Sequence, residues 1–134
     1  MYPSKIFTTV ATIGATAALT ILPYGVANAQ SPGYVFVGTT VYPKSPAEFE
    51  PNGDRLTVWD YSPGNGWQTR AAVQKWNSGR EQWEQIFACT ANATTQDPKS
   101  CSQDIPEGTL VRVRIWEYKG TSTRGNNYSS QTHA

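Results

Sequence analysis

Apolar and polar residues alternate with a period of two in several short runs, which is typical of β-strands with one buried face. Residues 109–119 show this alternation most clearly, because an aliphatic set and a basic or aromatic set take turns. The aliphatic positions are Val111, Val113 and Ile115, and the residues between and after them are Arg112, Arg114 and Trp116. The pattern predicts a half-buried antiparallel strand over 109–119.

Further runs rich in β-branched and aromatic residues are separated by proline, glycine and asparagine. We predict strands over 34–41, 48–51, 55–61, 67–76 and 80–89. Turn residues at 52–54 and 77–79 join neighbouring runs, the second pair as a hairpin. The sequence therefore predicts an all-β fold, a small antiparallel β-sandwich of immunoglobulin-like size, with a small barrel as the alternative.

The same alternation predicts which residues form the core. The expected inward positions are Val35, Val37, Leu56, Val58, Ala71, Val73, Trp83, Phe87, Val111, Val113 and Ile115. Residues 91–105 are expected to form a polar loop. Residues 120–134 are rich in Ser, Thr, Asn and Gly, so we expect a flexible C-terminal tail there.

The N-terminus has the three parts of a secretory signal peptide. A short start with one positive charge, Lys5, precedes the apolar run 6–22, and a small-x-small site ends at Ala29. The alternative is a transmembrane anchor, but the run is short and Pro23 follows it at once. We predict cleavage after Ala29 and a secreted, extracellular monomer with no membrane partner. The predicted organisation is a signal peptide over 1–29, a β-sandwich domain over 30–119 and a tail over 120–134.

Cys89 and Cys101 are the two cysteines of the chain. Export would place them where disulfides persist, and we predict that they pair with each other. Closing the short loop between them stabilises a fold by about 3 kcal/mol in the chain-entropy model. A reactive thiol or a metal site are the alternatives, although two thiols with one distant histidine make a poor metal site.

Charge and histidine content exclude several function classes. Removal of Lys5 with the leader leaves equal numbers of basic and acidic residues, so we expect no nucleic-acid partner. His133 is the one histidine, and a penultimate residue has no rigid element to orient it for nucleophilic catalysis. No run has metal-ligand spacing or a phosphate-binding glycine loop. We expect no enzyme activity, no metal and no cofactor.

Two stretches carry a resemblance to a known group of proteins. The first is Phe49-x-Pro51-x-Gly53-Asp54-x-Leu56-x-Val58-x-Asp60, and the second is Cys89, an Asn-containing loop, Cys101 and Pro106-Glu107-Gly108-Thr109-x-Val111-Arg112-Val113. Over roughly residues 49–118 the chain resembles small exported proteins of filamentous actinobacteria. The resemblance implies a β-sandwich domain behind a signal peptide. It implies no reaction, and no functional residues carry over from it.

The five tryptophans and the tyrosines beside them exceed what so small a core can use. If the aliphatic faces form the core, aromatic and basic residues form an exposed surface that suits a sugar ring or a protein partner. The candidate ligand-binding residues are Trp59, Trp76, Arg112, Arg114 and Trp116. We expect a protein or a polysaccharide as the ligand. The alternative is that these side chains only stabilise the sheet through cross-strand stacking.

Two other functions fit parts of the sequence. A small glycoside hydrolase needs two acids on opposite sides of a bond, and the candidates are Glu81, Glu84, Glu117 and Asp60. An inhibitor of a secreted enzyme would use the Cys89–Cys101 loop, whose tip is 96–99, because a disulfide-held loop loses little entropy on docking.

Overall fold

The computed structural model describes residues 33–134. In this range nine strands form two antiparallel sheets, and no helix occurs. The strands are β1 (Val35–Gly38), β2 (Pro46–Glu50), β3 (Arg55–Val58), β4 (Gln68–Asn77), β5 (Gln82–Thr90), β6 (Lys99–Ser102), β7 (Leu110–Lys119), β8 (Ser122–Tyr128) and β9 (Thr132–His133). One sheet has the order β1-β2-β3-β6, and the other has the order β5-β4-β7-β8, with β9 also paired to β7. The predicted β-sandwich is confirmed.

The predicted signal peptide over 1–29 and its cleavage site at Ala29 lie outside the described residues. Within the described part of the chain, no helix has the length and apolar character needed to cross a membrane.

The core lies between the two sheets and is filled from both. Phe49 and Leu56 enter it from the four-stranded sheet, while Val73, Val113 and Ile115 enter it from the other sheet, all with no exposed surface. Their period-two spacing places them on one face of each strand, as the sequence pattern predicts. The opposite faces of the strands are consequently the two outer surfaces of the sandwich.

A tight turn joins β2 to β3 where the sequence predicts one, at residues 52–54. Gly53 has a φ of 107°, a conformation that glycine adopts without a Cβ penalty. Asp54 follows with a φ of 49°, and its carboxylate Oδ2 accepts a 2.8 Å hydrogen bond from the backbone N–H of Ile105. The turn is thus tied to the segment that enters β7.

The predicted disulfide between Cys89 and Cys101 is confirmed. It joins β5 of one sheet to β6 of the other. β6 lies in the region expected to be a loop, and it pairs with β3 in a register that places Ser100 beside Thr57. Its four residues, Lys-Ser-Cys-Ser, are too short and too polar to show an alternation in sequence.

The structure corrects the expected inward position of Trp83. Val73 pairs with Phe87 but Gln74 pairs with Gln85, so Ile86 is an extra residue in β5. A bulge of this kind reverses the alternation beyond it, because one inserted residue moves every later side chain to the other face. Trp83 therefore lies on the outer face, opposite Trp76.

The structure also corrects the expected flexible tail over 120–134. Residues of this segment form β8 and β9, which both pair with β7. Asn127 Nδ2 additionally donates a 2.8 Å hydrogen bond to the carbonyl of Gly38 in β1. The hydrogen-bonding edge of β7 holds this polar segment, and the sandwich extends beyond residue 119.

Candidate functional site

The outer face of the five-stranded sheet collects most of the predicted ligand-binding residues. In β7, Val111, Val113 and Ile115 face the core, so the alternate residues face outward. The register of β4, β5 and β8 against β7 adds further side chains to the same surface. We call this surface the arginine–aromatic face; it comprises Arg70, Trp76, Trp83, Arg112, Arg114, Trp116 and Tyr128.

Arg112 lies at the centre of the arginine–aromatic face. Its Cζ is 4.4 Å from the ring centroid of Trp83 and 4.0 Å from that of Tyr128. The two rings come from β5 and β8, which lie on opposite sides of β7 in the sheet. Arg112 Nε also donates a 2.8 Å hydrogen bond to Gln74 Oε1 on β4. These contacts hold the guanidinium in place, and contact with aromatic rings leaves its in-plane N–H donors available.

Arg114 repeats this arrangement two residues later. Its Cζ lies 4.2 Å from the ring centroid of Trp116, and its Nε donates a 2.6 Å hydrogen bond to Asn126 Oδ1. Trp116 is 9% exposed, so its ring supports the arginine more than it offers a surface of its own. Arg70 on β4 pairs directly with Trp116, and its buried Nε has no hydrogen-bond partner among the described residues.

Open aromatic surface is found at two edges of the arginine–aromatic face. Trp76 is 38% exposed and Tyr128 is 43% exposed. Trp76 packs edge-on against Trp83, with ring centroids 5.5 Å apart and an angle of 62° between the ring planes. An edge-to-face pair of this kind contributes about 0.5–1.5 kcal/mol beyond its buried area. The face therefore offers two exposed rings beside a fixed guanidinium.

The arginine–aromatic face is positively charged. No Asp or Glu of the described strands points outward from this sheet, because Glu84 and Glu117 alternate onto the inward side. Partial burial lowers the pKa of the Arg112 guanidinium, and the nearby charge of Arg114 lowers it further. An arginine nevertheless stays protonated at neutral pH. The face consequently presents cations and rings with no carboxylate between them.

The structure brings together four of the five residues predicted to bind a ligand. Trp76, Arg112, Arg114 and Trp116 share one face, whereas Trp59 directly follows β3 of the four-stranded sheet and does not join them. The contacts of Arg112 also involve two aromatic residues, Trp83 and Tyr128, that the sequence interpretation did not include. Strict alternation predicts Trp83 in the core because the bulge has no sequence signal, and Tyr128 lies in the segment expected to be a tail.

Three of the four candidate catalytic acids already have hydrogen-bond or ion-pair partners in the protein. Glu117 is bound by Arg124 at 2.8 Å, and Asp60 is buried and accepts a 2.8 Å hydrogen bond from the N–H of Ser62. Glu84 accepts from Asn77 and Arg80, while Glu81 lies in the turn before β5 with a φ of 53°. Among residues 33–134, no group of three or more His, Cys, Asp or Glu could hold a metal ion.

The loop between Cys89 and Cys101 is anchored at both ends and near its tip. The disulfide closes it, and Gln96 Nε2 donates a 2.9 Å hydrogen bond to the carbonyl of Tyr61. Most of its side chains are exposed. The inhibitor function that such a loop would serve stays a prediction.

Comparison with protein-family models, with curated proteins and with solved structures found no match.

Proposed function

We propose that this protein is a secreted, non-enzymatic binding protein that holds a polysaccharide on the arginine–aromatic face. The observation that carries the proposal is the fixed guanidinium of Arg112 between Trp83 and Tyr128, with the exposed ring of Trp76 next to it. Sugar rings pack their C–H faces on aromatic rings, while arginine supplies planar hydrogen bonds. The sequence-predicted leader and the disulfide support an extracellular setting.

The pattern of the face favours a polysaccharide over a protein partner. Protein interfaces usually have a contiguous apolar centre from which charged residues are depleted. Here Trp76 and Trp83 pack against each other, but Arg112 lies between Trp83 and Tyr128, and Arg114 covers Trp116. An extended sugar chain meets such a surface as a series of alternating ring and hydrogen-bond contacts.

Affinity electrophoresis of the secreted protein in gels containing soluble polysaccharides tests this proposal. The panel contains neutral xylan and glucomannan together with acidic polygalacturonate and alginate. We expect retardation by at least one polymer, and about tenfold weaker binding by Trp76→Ala, since 1.4 kcal/mol corresponds to a factor of ten in affinity. Retardation by no polymer of the panel would overturn the proposal.

Phe36→Ala is the matched control for Trp76→Ala. Phe36 is an exposed aromatic residue, 65% exposed, on β1 of the other sheet. Its removal should leave retardation unchanged, because its ring lies on the opposite surface of the sandwich. Equal loss of binding in the two variants would show that the arginine–aromatic face is not the site.

A further inference from the structure

The arginines of the described chain divide into two groups by their partners. Arg55, Arg80 and Arg124 each form an ion pair with a carboxylate, from Glu50, Glu84 and Glu117 in turn. Arg70, Arg112 and Arg114 form no ion pair with any residue of 33–134. All three of the second group lie on the arginine–aromatic face, so its positive charge is not balanced within this part of the protein.

The hydrogen bonds of this face leave the ends of the guanidinium groups free. Arg112 and Arg114 use Nε to reach the neutral side-chain amides of Gln74 and Asn126. The two terminal nitrogens of each guanidinium make no hydrogen bond to residues 33–134. An amide oxygen orients a guanidinium without neutralising it, so the full charge remains for a ligand.

The spacing of Arg112 and Arg114 suits a repeating ligand. They are two residues apart on one face of β7, which places their Cα atoms about 7 Å apart. Aromatic contacts restrict both side chains, so little rotamer entropy is lost when a ligand binds. A charged group on a polymer can meet one arginine while a neighbouring group meets the next.

We propose, on the basis of the binding function above, that the polysaccharide is acidic and that Arg112 and Arg114 bind its carboxylate groups. A planar carboxylate matches the guanidinium fork in a bidentate pair. The terminal nitrogens of Arg112, which make no hydrogen bond to residues 33–134, are the atoms such a pair would use. The uronic acid rings of the same chain would stack on Trp76 and Tyr128, the exposed aromatic residues of the face.

Charge complementarity commits this face to uronic acid polymers rather than to nucleic acid. Three arginines on one face provide a local positive field, yet the whole chain carries a formal net charge of only +1. Nucleic-acid binding depends on neutralising many phosphates. A polymer with one carboxylate per sugar and an apolar ring face needs fewer cations and uses the aromatic rings as well.

The test compares each acidic polymer with its own neutral form. Polygalacturonate, alginate and hyaluronate are used as free acids and as methyl esters, which keep the sugar chain and remove the charge. At low salt we expect at least tenfold tighter binding to one of the free acids than to its ester. That difference should shrink as salt is raised, because ions screen exposed charges.

Variants identify the arginines involved. Arg112→Gln and Arg114→Gln should each weaken binding to the free acid about tenfold, and should weaken binding to the ester by a clearly smaller factor, because only the free acid loses a charged pair. Arg55→Gln removes an arginine from the other sheet and should change neither. Where Arg112→Gln fails to fold, Arg112→Lys keeps the charge but loses the planar fork, and should weaken free-acid binding several-fold.

The outcomes separate this inference from the function on which it rests. Equal binding to free acid and ester would overturn the inference while leaving polysaccharide binding intact. Tighter binding to single-stranded DNA or to dextran sulfate than to every uronic acid polymer would overturn it in favour of another anion. Failure to bind any polysaccharide would remove the proposed function, and the inference with it.

Discussion

The arginines on the two outer faces of the sandwich have different kinds of partner. On the four-stranded sheet, Glu50 accepts a 2.6 Å hydrogen bond from the Tyr34 hydroxyl and forms an ion pair with Arg55. The hydroxyls of Thr57 and Ser100 lie 2.8 Å apart on the neighbouring strands β3 and β6. The charges of Glu50 and Arg55 and the hydroxyls of Thr57 and Ser100 are therefore paired within this face.

On the outer face of the five-stranded sheet, Arg112 and Arg114 contact rings and amides instead of carboxylates. Arg112 contacts Trp83 and Tyr128, and Arg114 contacts Trp116. Contacts between cations and rings stabilise by about 0.5–1 kcal/mol at exposed sites, but they leave the net charge in place. This sheet thus fixes Arg112 and Arg114 without neutralising them, which is the condition for binding an anion from solution.

Removal of the disulfide should have the largest effect on the free energy of unfolding, and the same experiment tests whether the two sheets unfold together. The disulfide joins β5 of one sheet to β6 of the other. The double variant Cys89→Ser, Cys101→Ser should lower the free energy of unfolding by about 3 kcal/mol, since the unfolded chain regains loop entropy. Urea unfolding is followed by tryptophan fluorescence and by the NMR signals of Tyr34.

Both probes should report one transition, because the sheets share a single core. Three of the five tryptophans lie on the arginine–aromatic face, whereas Tyr34 bonds to Glu50 on the other sheet. Ser102→Ala on β6 is the control and should change stability by less than about 0.5 kcal/mol, as usual for exposed positions. Separate midpoints for the two probes would mean that the two faces are not coupled.

β7 shows what the sequence can reveal and why. Val111, Val113 and Ile115 are fully buried, and Arg112 and Arg114 lie on the opposite face, as the alternation predicts. The buried and exposed faces of such a strand can be predicted from its own sequence, because successive side chains point to opposite sides with a period of two. The disulfide was predictable for a similar reason, since a chain with two cysteines allows one intramolecular pairing.

The composition of the arginine–aromatic face was less predictable, because it depends on contacts between distant segments. One extra residue at Ile86 moves Trp83 from the core to the outer face. Trp59 alternates in sequence much as Trp116 does, yet strand order assigns it to the other sheet. Tyr128 lies in a polar segment whose strand depends on pairing with β7. No local pattern encodes a bulge, a strand order or an edge pairing.

The next largest effect compares one aromatic residue from each face. Trp83→Leu removes the edge-on contact with Trp76 and one of the two rings beside Arg112. We expect a loss of about 1–2 kcal/mol in the free energy of unfolding. Phe36→Leu on the four-stranded sheet, at an exposed position, should lose less than about 0.5 kcal/mol.

Urea denaturation of both variants measures this difference. A similar loss in the two variants would contradict the view that the aromatic residues of the five-stranded sheet form a connected cluster. If Trp83→Leu lost less free energy of unfolding than Phe36→Leu, the aromatic residue of the four-stranded sheet would be the more important one for stability.

A smaller effect compares one arginine from each face. Arg112→Gln removes contacts with two rings, and we expect it to lower stability by about 1 kcal/mol. Arg55→Gln removes an exposed ion pair with Glu50, for which about 0–0.5 kcal/mol is expected. Raising the salt concentration to 1 M should narrow the effect of Arg55→Gln, because salt screens exposed charges. If Arg112→Gln and Arg55→Gln lost the same free energy of unfolding in low salt, the contacts of Arg112 with the two rings would not stabilise the fold.

The smallest expected effect is a change in the pKa of Tyr34, on the outer face of the four-stranded sheet. The hydrogen bond to Glu50 raises the pKa of Tyr34, and the same bond lowers the pKa of Glu50. Glu50→Gln should therefore bring the pKa of Tyr34 down towards its ordinary value near 10, which NMR titration of the tyrosine ring measures. Thr57→Val removes the hydroxyl pair with Ser100 and should leave Tyr34 as it is.

The sign of the linked stability change follows from these two shifts. A raised tyrosine pKa stabilises the fold below its unfolded pKa, and that contribution is lost as pH rises through the folded pKa. A lowered glutamate pKa stabilises it above the ordinary value, and that contribution is lost as pH falls through the folded pKa. Tyr34 is exposed and Glu50 is only half-buried, so the changes in stability should be small even where the titration shift is clear. An unchanged Tyr34 pKa in Glu50→Gln would mean that the hydrogen bond between Tyr34 and Glu50 does not form in solution. The difference between the two outer faces would then depend only on the partners of their arginines.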